Sequence, residues 1–238
     1  MRLGLWNYQW RAWDSVAGRT MTERLWERSP EVVCITEGKA DPPESLAGHW
    51  IMSDADYGYR KFPGRRKVML WSRNPWTEIE RVGSENMPTG RFVSAWTRTS
   101  LGPVFFIGVC IPWRDAHVRS GRRDRSPWEE NQSYLRGLNE VIHRKAHRGP
   151  CVLMGDFNQR VPRCGSPAWL FDELMDATRG LVWATDGPVP GLGKQVIDHV
   201  VHSDELHCLS TEGIDPTGDG GLRLSDHPGI VVEFGTAD

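Results

Sequence analysis

The stretch Val152-Leu153-Met154-Gly155-Asp156-Phe157-Asn158 is an apolar run that ends in a carboxylate and an amide. Two similar stretches follow it, Ile197-Asp198-His199 and Ser225-Asp226-His227. Each polar patch follows or interrupts an apolar, β-branched run, so we expect these side chains at strand ends, where open α/β sheets keep their sites. Carboxylates, an amide and a histidine gathered there would bind a hard divalent cation and activate water.

The N-terminal half adds two more strand-end polar groups. Leu3-Gly4-Leu5-Trp6-Asn7 is a short apolar run that ends in an amide, and Val32-Val33-Cys34-Ile35-Thr36-Glu37 ends in a carboxylate. Mg²⁺ prefers oxygen ligands and uses one or two carboxylates together with water and substrate phosphate. We therefore expect Glu37 to be the main protein ligand, Asn7 to contact metal or phosphate, and Asp226 to hold the metal through water.

The order and spacing of these motifs resemble those of the endonuclease/exonuclease/phosphatase superfamily, which includes pancreatic deoxyribonuclease, apurinic endonucleases, neutral sphingomyelinases and inositol-polyphosphate 5-phosphatases. The resemblance covers essentially the whole chain. Any one motif is weak, but the full set in the right order is specific. It implies a deoxyribonuclease-I-like or apurinic-endonuclease-like fold: a four-layer α/β/β/α sandwich with two mostly antiparallel central sheets, in a single domain over residues 1–238. Sequence pattern alone indicates only one α/β domain.

Composition limits the class of protein. The chain has 238 residues, 39% of them hydrophobic, and a net charge of −2, so any affinity for nucleic acid must come from a local patch. Five cysteines without regular spacing argue against a disulfide framework or a zinc site and favour a reduced, cytoplasmic protein. We expect no secretory signal, no membrane span and no obligate protein partner, and a monomer.

The hydrophobic pattern predicts short strands with a few helices between them. The predicted strands are residues 2–7, 31–36, 49–55, 57–62, 67–72, 91–99, 103–111, 150–155, 181–185, 196–202, 206–211 and 229–234. The predicted helices are residues 20–28, 128–146 and 167–177. A long polar loop is expected at 112–127 and a Gly/Pro loop at 187–194, and long loops in compact domains are usually functional or mobile.

The chemistry of phosphate-ester hydrolysis gives each polar group a role. Asp156 is expected to orient and activate the attacking water, and Asn158 to hold a phosphoryl oxygen; the alternative is that Gly155–Asn158 is only a turn. His227 can donate to phosphate or take a proton, and Asp198 behind it would fix its tautomer. In the family the corresponding aspartate pairs with this histidine. Whether Asp156 or His227 is the general base stays open at this point.

The structural alternatives are a plain Asp–His hydrogen bond at Asp198, a solvated acid at Glu37 and a turn amide at Asn7. His199 should point to the face opposite Asp198 and is interpreted as a packing histidine.

The chain departs from the family at two places. Thr36 precedes Glu37 where relatives commonly have Gln. This change is tolerable, because Thr can still donate a hydrogen bond. Cys110 stands where many relatives place a Tyr or His against the scissile phosphate. Arg114 or His117, in the following loop, could replace that contact, since an arginine fork suits phosphate. Cys110 itself is interpreted as a packed thiol, because the implied mechanism is direct attack by water.

Two basic clusters could bind a phosphodiester backbone, and aromatic neighbours could stack on unpaired bases. Solvated loops with tryptophan anchors are the alternative. The residues proposed for this groove are Arg65, Arg66, Trp113, Arg119, Arg122 and Arg123.

The favoured function is a Mg²⁺- or Mn²⁺-dependent phosphodiesterase, a nuclease hydrolysing DNA or RNA. One alternative is a phosphomonoesterase or phospholipase acting on a small phosphorylated molecule or lipid head group. Another, of a different class, is a catalytically inactive binding module on the same fold.

Overall fold

The computed structural model describes residues 1–145 and 148–236. Its strands are β1 (Arg2–Asn7), β2 (Val32–Lys39), β3 (His49–Met52), β4 (Arg65–Ser72), β5 (Trp76–Glu80), β6 (Phe92–Thr99), β7 (Gly102–Cys110), β8 (Cys151–Asp156), β9 (Val182–Trp183), β10 (Asp198–His202), β11 (Leu206–Ile214) and β12 (Gly229–Thr236). Its helices are α1 (Val16–Trp26), α2 (Glu129–Lys145) and α3 (Ala168–Ala177), with a short 3₁₀ turn at Asp219–Gly221. None of the helices in the described ranges is both long and apolar enough to cross a bilayer.

The strands form two six-stranded sheets, with the orders β11-β12-β1-β2-β4-β3 and β5-β6-β7-β8-β10-β9. Most neighbouring strands are antiparallel. The parallel neighbours are β1 and β2, with Leu3 opposite Val32, and β7 and β8, with Phe105 opposite Cys151. These parallel pairs matter for function, because they bring the carboxyl ends of β1 and β2, and of β7 and β8, to a common edge of each sheet.

Period-two alternation builds four layers. Leu3 and Leu5 of β1 pack between the sheets against residues such as Val152 and Met154 of β8. The other face of the first sheet packs under α1. The other face of the second sheet packs under α2 and α3, through residues such as Leu153. The four-layer α/β/β/α sandwich with mostly antiparallel sheets is confirmed.

Several predicted boundaries are corrected by local contacts. Helix α1 begins at Val16 rather than residue 20, because the Ser15 side chain caps it by accepting from the Gly18 N–H at 3.0 Å. Residues 57–62 do not form a strand: Asp56 accepts from the Gly58 N–H in a turn, and the Tyr57 and Tyr59 rings pack on each other instead of alternating. The predicted final residue of the second helix, 146, lies outside the described residues.

Strand β5 is absent from the sequence prediction. It pairs with β6 through an irregular register, and its residues Thr77–Ile79 are exposed, so it lacks the apolar alternation that marks a half-buried strand.

Candidate active site

The predicted polar groups converge at one end of the space between the sheets. The alternation that points Leu3 and Leu5 into the core carries Asn7 to the same side, and Asp156 continues the inward series of Val152 and Met154. Thus strand ends, as expected, form the site. A cavity of about 260 Å³ opens there and is lined by Asn7, Glu37, Lys67, Arg91, Cys110, Trp113, Asp156, Asn158, Asp226 and His227.

Asp156 is held as a hydrogen-bond acceptor on both oxygens. Oδ1 accepts from the Asn158 N–H at 3.0 Å and Oδ2 accepts from Asn7 Nδ2 at 3.3 Å. Burial, and next the charge of Asp198, raise the pKa of Asp156 to about 7. A carboxylate with such a pKa can take a proton efficiently near neutral pH.

The Gly155–Asn158 segment is indeed a tight turn, and the turn is what aims the site. Gly155 has φ +147°, and a Cβ there would meet the Val109 carbonyl oxygen at 1.9 Å, so only glycine fits. Asn158 has φ 54° and donates from Nδ2 to the Ile111 carbonyl at 2.8 Å. The turn and the functional interpretation are therefore compatible, and the second Nδ2 hydrogen of Asn158 is available for a phosphoryl oxygen.

His227 and Asp198 form a close pair, with Nδ1 and Oδ2 separated by 2.5 Å. Burial alone would lower the pKa of His227, but the charge and hydrogen bond of Asp198 outweigh it and raise the pKa to about 10. The imidazole is therefore protonated at neutral pH. The Ser225 hydroxyl donates to the Asn7 carbonyl at 2.7 Å and accepts from the His227 N–H at 3.2 Å, which ties the last motif to β1.

Glu37 is oriented by an unusual backbone. Its φ of 52° lies in the left-handed region, and its carbonyl accepts from the Trp10 N–H at 2.7 Å. Lys67 Nζ contacts Glu37 Oε1 at 2.5 Å, and the Lys67 ammonium also lies 5.1 Å from the ring centre of Trp10. A carboxylate has two oxygens, so Glu37 can bind a cation with the one that Lys67 does not hold.

The donor set fits a hard divalent cation. The carboxylates of Glu37, Asp156 and Asp226 line one cavity, and the raised pKa of Asp156 reflects burial and repulsion from acidic neighbours, which a cation would relieve. Ligand atoms of Asp156, Asp198 and His227 lie within 4.8 Å of one another. However, the His227 Nδ1 is committed to Asp198, and a protonated imidazole is not a ligand, so we favour the oxygen set for the metal.

Asn7 contributes less to that set than its position suggests. Its Oδ1 accepts from the Gln9 N–H at 2.9 Å while its Nδ2 donates to Asp156. The arrangement makes Asn7 first a support for the Asp156 carboxylate, with one Oδ1 lone pair left for a cation.

The cavity lining does not include Arg114 or His117, the predicted replacements for a phosphate contact. Arg114 is exposed and pairs with Asp115 at 3.7 Å. His117 belongs to the long loop and its side chain is buried. Its ring stacks on Tyr59 at 4.2 Å, and its Nδ1 accepts from the Arg122 N–H. Burial, and next the charge of Arg122, lower the pKa of His117.

Sequence reasoning missed two cations that do line the cavity. Lys67 is not among the residues that the sequence predicts for the site. Arg91 is 3% exposed and donates from Nη1 to the Cys110 carbonyl at 3.3 Å, so its guanidinium lies beside the position where relatives have Tyr or His. The signal available in the sequence was an arginine directly before the apolar run Phe92-Val93.

Two buried side chains near the site have structural roles. Burial raises the pKa of the Cys110 thiol to about 12, so the thiol stays protonated and packs. His199 is fully buried, with Nδ1 against the Thr185 hydroxyl at 2.8 Å and Nε2 against the Gln159 carbonyl at 2.9 Å. Burial lowers the pKa of His199 to about 4, so it is a neutral packing group.

The residues predicted to form a nucleic-acid groove are dispersed. Trp113 is 48% exposed at the cavity, whereas Arg65 lies over the Trp10 and Phe62 rings at 4.7 and 4.3 Å. Arg122 pairs with the buried carboxylate of Glu130. The rest lie away from the cavity lining, Arg66 beside a different cavity and Arg119 and Arg123 exposed on the long loop.

Comparison with known proteins decides the family. The sequence model of the Endonuclease/Exonuclease/phosphatase family matches residues 12–227. The chain belongs to this family. Members of this family include nucleases and phosphatases, which are phosphoric-ester hydrolases. No curated protein matches the sequence significantly.

Solved structures share the fold of this family member at low identity. The 3′-5′ exonuclease NExo of Neisseria meningitidis is 19% identical, with a TM-score of 0.70 over 98% of this chain and 99% of that one. An AP endonuclease of Archaeoglobus fulgidus is 16% identical, with a TM-score of 0.72 over 98% and 99%. TDP2 of D. rerio, complexed with single strand DNA product, is 13% identical, with a TM-score of 0.71 over 99% of each chain.

Proposed function

We propose that this protein is a Mg²⁺- or Mn²⁺-dependent phosphodiesterase, and specifically a nuclease that hydrolyses DNA or RNA by direct attack of water. One observation carries the proposal: a single cavity holds a carboxylate with a pKa raised to about 7, Asp156, and a histidine with a pKa raised to about 10, His227. At neutral pH the first accepts a proton and the second carries one. Hydrolysis of a phosphate ester needs such a pair.

The attacking water would give its proton to Asp156 as its oxygen bonds to phosphorus, while the ester bond from phosphorus to the leaving oxygen breaks on the opposite side. Asn7 Nδ2 and the Asn158 N–H hold that carboxylate in place, which reduces the reorganisation that the step requires. His227 would donate from Nε2 to a phosphoryl oxygen, while Asp198 stabilises the imidazolium through Nδ1. This geometry favours Asp156 over His227 as the general base.

The cation would be held by Glu37, Asp226 and the free lone pair of Asn7 Oδ1. When bound, Mg²⁺ or Mn²⁺ would neutralise the negative charge that develops on the phosphoryl oxygens and on the leaving oxygen. Arg91 would donate to the same phosphoryl group, in the place that a Tyr or His occupies in relatives.

Nucleic acid is favoured as substrate by the aromatic and cationic surroundings of the cavity. Trp113 is half exposed at its lining, where a base could stack on the indole. The D. rerio TDP2 structure that shares this fold contains single strand DNA product. A local site suffices, because the net charge of −2 gives no general attraction to polyanions.

A phosphomonoesterase is the second candidate. A cavity of about 260 Å³ lies just below the range of roughly 300–1,000 Å³ that is usual for small-molecule sites, so it can take a small phosphorylated molecule. A solved structure with a TM-score of 0.72 is that of the 3′ phosphatase NExo. A catalytically inactive module is disfavoured, because the residues of the predicted set are all present and Asp156, Asp198 and His227 are held in contact.

We also propose that the chain acts as a cytoplasmic monomer. Its cysteines are free thiols, and burial raises the pKa of both Cys110 and Cys151, which is compatible with a reducing compartment. Size-exclusion chromatography with light scattering tests the monomer: a mass of about 27 kDa supports it, and a multiple of that mass contradicts it.

The function is tested by incubating the protein with single-stranded DNA, duplex DNA, RNA and a small phosphomonoester, each with Mg²⁺, Mn²⁺ or EDTA. Asp156→Asn is the site variant, and Asp219→Asn, in the exposed 3₁₀ turn, is the matched control with the same charge change. Metal-dependent cleavage of a polymer that Asp156→Asn loses and Asp219→Asn keeps supports the nuclease. Release of phosphate from the monoester alone supports the second candidate.

A further inference from the structure

A second cavity lies beside the catalytic one. It has a volume of about 130 Å³ and shares Asp198, Asp226 and His227 with the catalytic residues. Its remaining wall includes two cations, Arg160 and Lys194, which the mechanism above does not use. We refer to it as the Arg160–Lys194 pocket.

Hydrogen bonds of the preceding residue hold the backbone that carries Arg160 in place. Gln159, the preceding residue, is buried; its carbonyl contacts His199 Nε2 at 2.9 Å, and its side chain donates to Asn131 Oδ1 at 3.2 Å. Arg160 therefore starts from an anchored position only two residues after Asn158. The buried His199 acquires a positioning role, because it holds this segment against β10.

Lys194 is also presented by an ordered turn. The Val189 N–H donates to the Lys194 carbonyl at 3.0 Å, and the Gly193 N–H donates to the Val189 carbonyl at 3.1 Å. The next residue, Gln195, donates from Nε2 to the Pro162 carbonyl at 3.0 Å. This turn and the Arg160 segment are thus joined, and both cations belong to one framework.

The charge balance of the pocket favours an anion. Both cationic side chains are exposed, and across residues 1–145 and 148–236 neither forms an ion pair, although Lys194 weakly lowers the pKa of Asp215. The carboxylate of Asp198 is committed to His227 at 2.5 Å. Asp226 is the remaining acid, and the proposed function assigns it to the cation. Once Asp198 and His227 are counted as a pair, the two cations of the lining outnumber Asp226, so the local potential is positive with or without a bound metal ion.

We propose that the Arg160–Lys194 pocket binds a second phosphate of the substrate, next along the strand to the phosphate that is hydrolysed. The inference rests on the proposed function and narrows it. The substrate carries at least two phosphates, one on each side of His227, as a polynucleotide does. An arginine and a lysine are suited to this contact, since phosphates take both forked and point-charge donors. The second phosphate is either an internal phosphodiester or a terminal phosphomonoester.

The test measures binding, so that it does not depend on catalysis. Fluorescence anisotropy gives the Kd of a labelled single-stranded DNA oligonucleotide in EDTA, at several salt concentrations. The variant is Arg160→Ala/Lys194→Ala. The control is Arg136→Ala/Arg179→Ala, which removes the same charge from exposed side chains, 64% and 75% accessible, on the α2–α3 side of the protein.

We expect the pocket variant to bind about tenfold more weakly, with a salt dependence shallower by about 0.7, the value for one phosphate contact on a single strand. The control should bind as the wild type does. An unchanged Kd in the pocket variant, or an equal loss in the control, overturns the inference.

Two further arms separate the phosphate sources and the two proposals. The oligonucleotide is used with a 3′-hydroxyl and with a 3′-phosphate: an equal loss on both identifies an internal phosphate, and a loss only with the 3′-phosphate identifies a terminal one. Cleavage by the wild type is assayed separately. Cleavage with an unchanged variant Kd contradicts the pocket alone, whereas a weakened Kd without any cleavage contradicts the proposed function alone.

Discussion

Asp156 and Asp198 lie directly opposite each other where β8 ends and β10 begins. The Asp198 carboxylate acts on both halves of the site. Its charge adds to burial in raising the pKa of Asp156, and its 2.5 Å contact with His227 keeps that imidazole protonated. One buried carboxylate therefore raises the pKa of both groups, which brings Asp156 to about 7 and keeps His227 protonated at neutral pH.

Asp198→Asn tests this relationship. The substitution removes the charge and retains the shape, so the pKa of His227 should fall toward the ordinary range and that of Asp156 should fall with it. We expect kcat to drop about 10²–10⁴-fold, as when a histidine loses its orienting carboxylate. An NMR titration of the His227 ring measures the pKa directly, and a His227 pKa that stays near 10 in the variant contradicts the assignment.

The pH dependence of kcat/KM should be bell-shaped. Asp156 acts as a base only when deprotonated, and a bound cation lowers its pKa from the metal-free value of about 7, so activity rises with pH on a limb that lies below pH 7. His227 donates only when protonated, so activity falls as pH rises toward about 10, its pKa without metal. These apparent values belong to the coupled pair. Asp198→Asn should move the alkaline limb to lower pH. A rate that is maximal below pH 6, or one that does not decline at high pH, contradicts this assignment.

The free energy of unfolding should change with pH through the same two groups, His227 and Asp156, in a direction that their pKa values determine. The folded pKa of His227 is raised, so its contribution is fully present below the unfolded value of about 6.5 and is lost as pH rises through about 10. The pKa of Asp156 is raised too, so its charged form destabilises the fold as pH rises from about 4 through about 7. Urea unfolding in EDTA should show Asp156→Asn losing less stability than the wild type between pH 5 and pH 8. Equal losses of stability in Asp156→Asn and in the wild type would contradict the destabilising effect assigned to the Asp156 charge.

Lys67→Met should separate cation binding from the stability of the fold. Lys67 neutralises Glu37 in a pair that is 12% and 20% exposed, so removing it leaves a mostly buried acid unpaired. We expect the free energy of unfolding without metal to fall by about 1–3 kcal/mol. Mn²⁺ should bind more tightly, because its electrostatic competitor is gone. Calorimetric titration with Mn²⁺ measures this, with Lys61→Met, an exposed lysine paired with Asp56, as control. Weaker Mn²⁺ binding in Lys67→Met would contradict the role of Glu37.

Arg91 should be needed for catalysis. Arg91→Ala removes a preorganised donor to the phosphoryl group, so we expect kcat to fall about 10²–10³-fold. Arg91→Lys should recover part of that rate, because it keeps the charge without the fork. The control is Arg98→Ala, an exposed arginine on β6, the strand that Arg91 directly precedes. Since Arg91 is buried, circular dichroism must first show that Arg91→Lys is folded. A folded Arg91→Lys variant with the full rate would show that the arginine fork is not required.

Cys110 should be dispensable for the chemistry. Its pKa is raised to about 12, so a thiolate is not available for attack at neutral pH. Cys110→Ala should keep kcat within a few-fold of the wild type and lose about 1–2 kcal/mol of stability from the small cavity. Loss of activity in a folded Cys110→Ala protein, or a covalent phosphoryl adduct detected by mass spectrometry, would contradict attack by water.

Much of the fold and of the site is readable from the sequence because both depend on strand alternation. The runs that end at Asn7 and Asp156 point inward at every second residue, so their last side chains reach the space between the sheets. The Asp198–His227 contact was implied by the resemblance to the family and not by strand alternation, and the structure has it at 2.5 Å. In contrast, residues 57–62 are irregular: the Tyr57 and Tyr59 rings pack on each other, and the Tyr59 ring stacks on His117 of the long loop, which is a tertiary contact that no local pattern reveals.

The cations of the site were harder to predict. Lys67 ends the basic run Arg65-Arg66-Lys67, and Arg91 is a single basic residue before Phe92-Val93. Their approach to the cavity depends on the pairing of β4 and β6 with their neighbours. Arg114 and His117 looked suitable by proximity in sequence to Cys110. The chain turns away after Ile111, however, and His117 stacks on Tyr59 instead. Sequence distance did not predict spatial distance in an irregular loop.

The most direct test of the central claim is the cleavage of a labelled single-stranded oligonucleotide by wild-type protein and by Asp156→Asn, with Mg²⁺ and with EDTA. The account predicts cleavage by the wild type with Mg²⁺, and none in EDTA or in the folded variant. Equal cleavage by wild type and Asp156→Asn, or cleavage that persists in EDTA, would contradict the assignment of Asp156 as the base of a metal-dependent reaction.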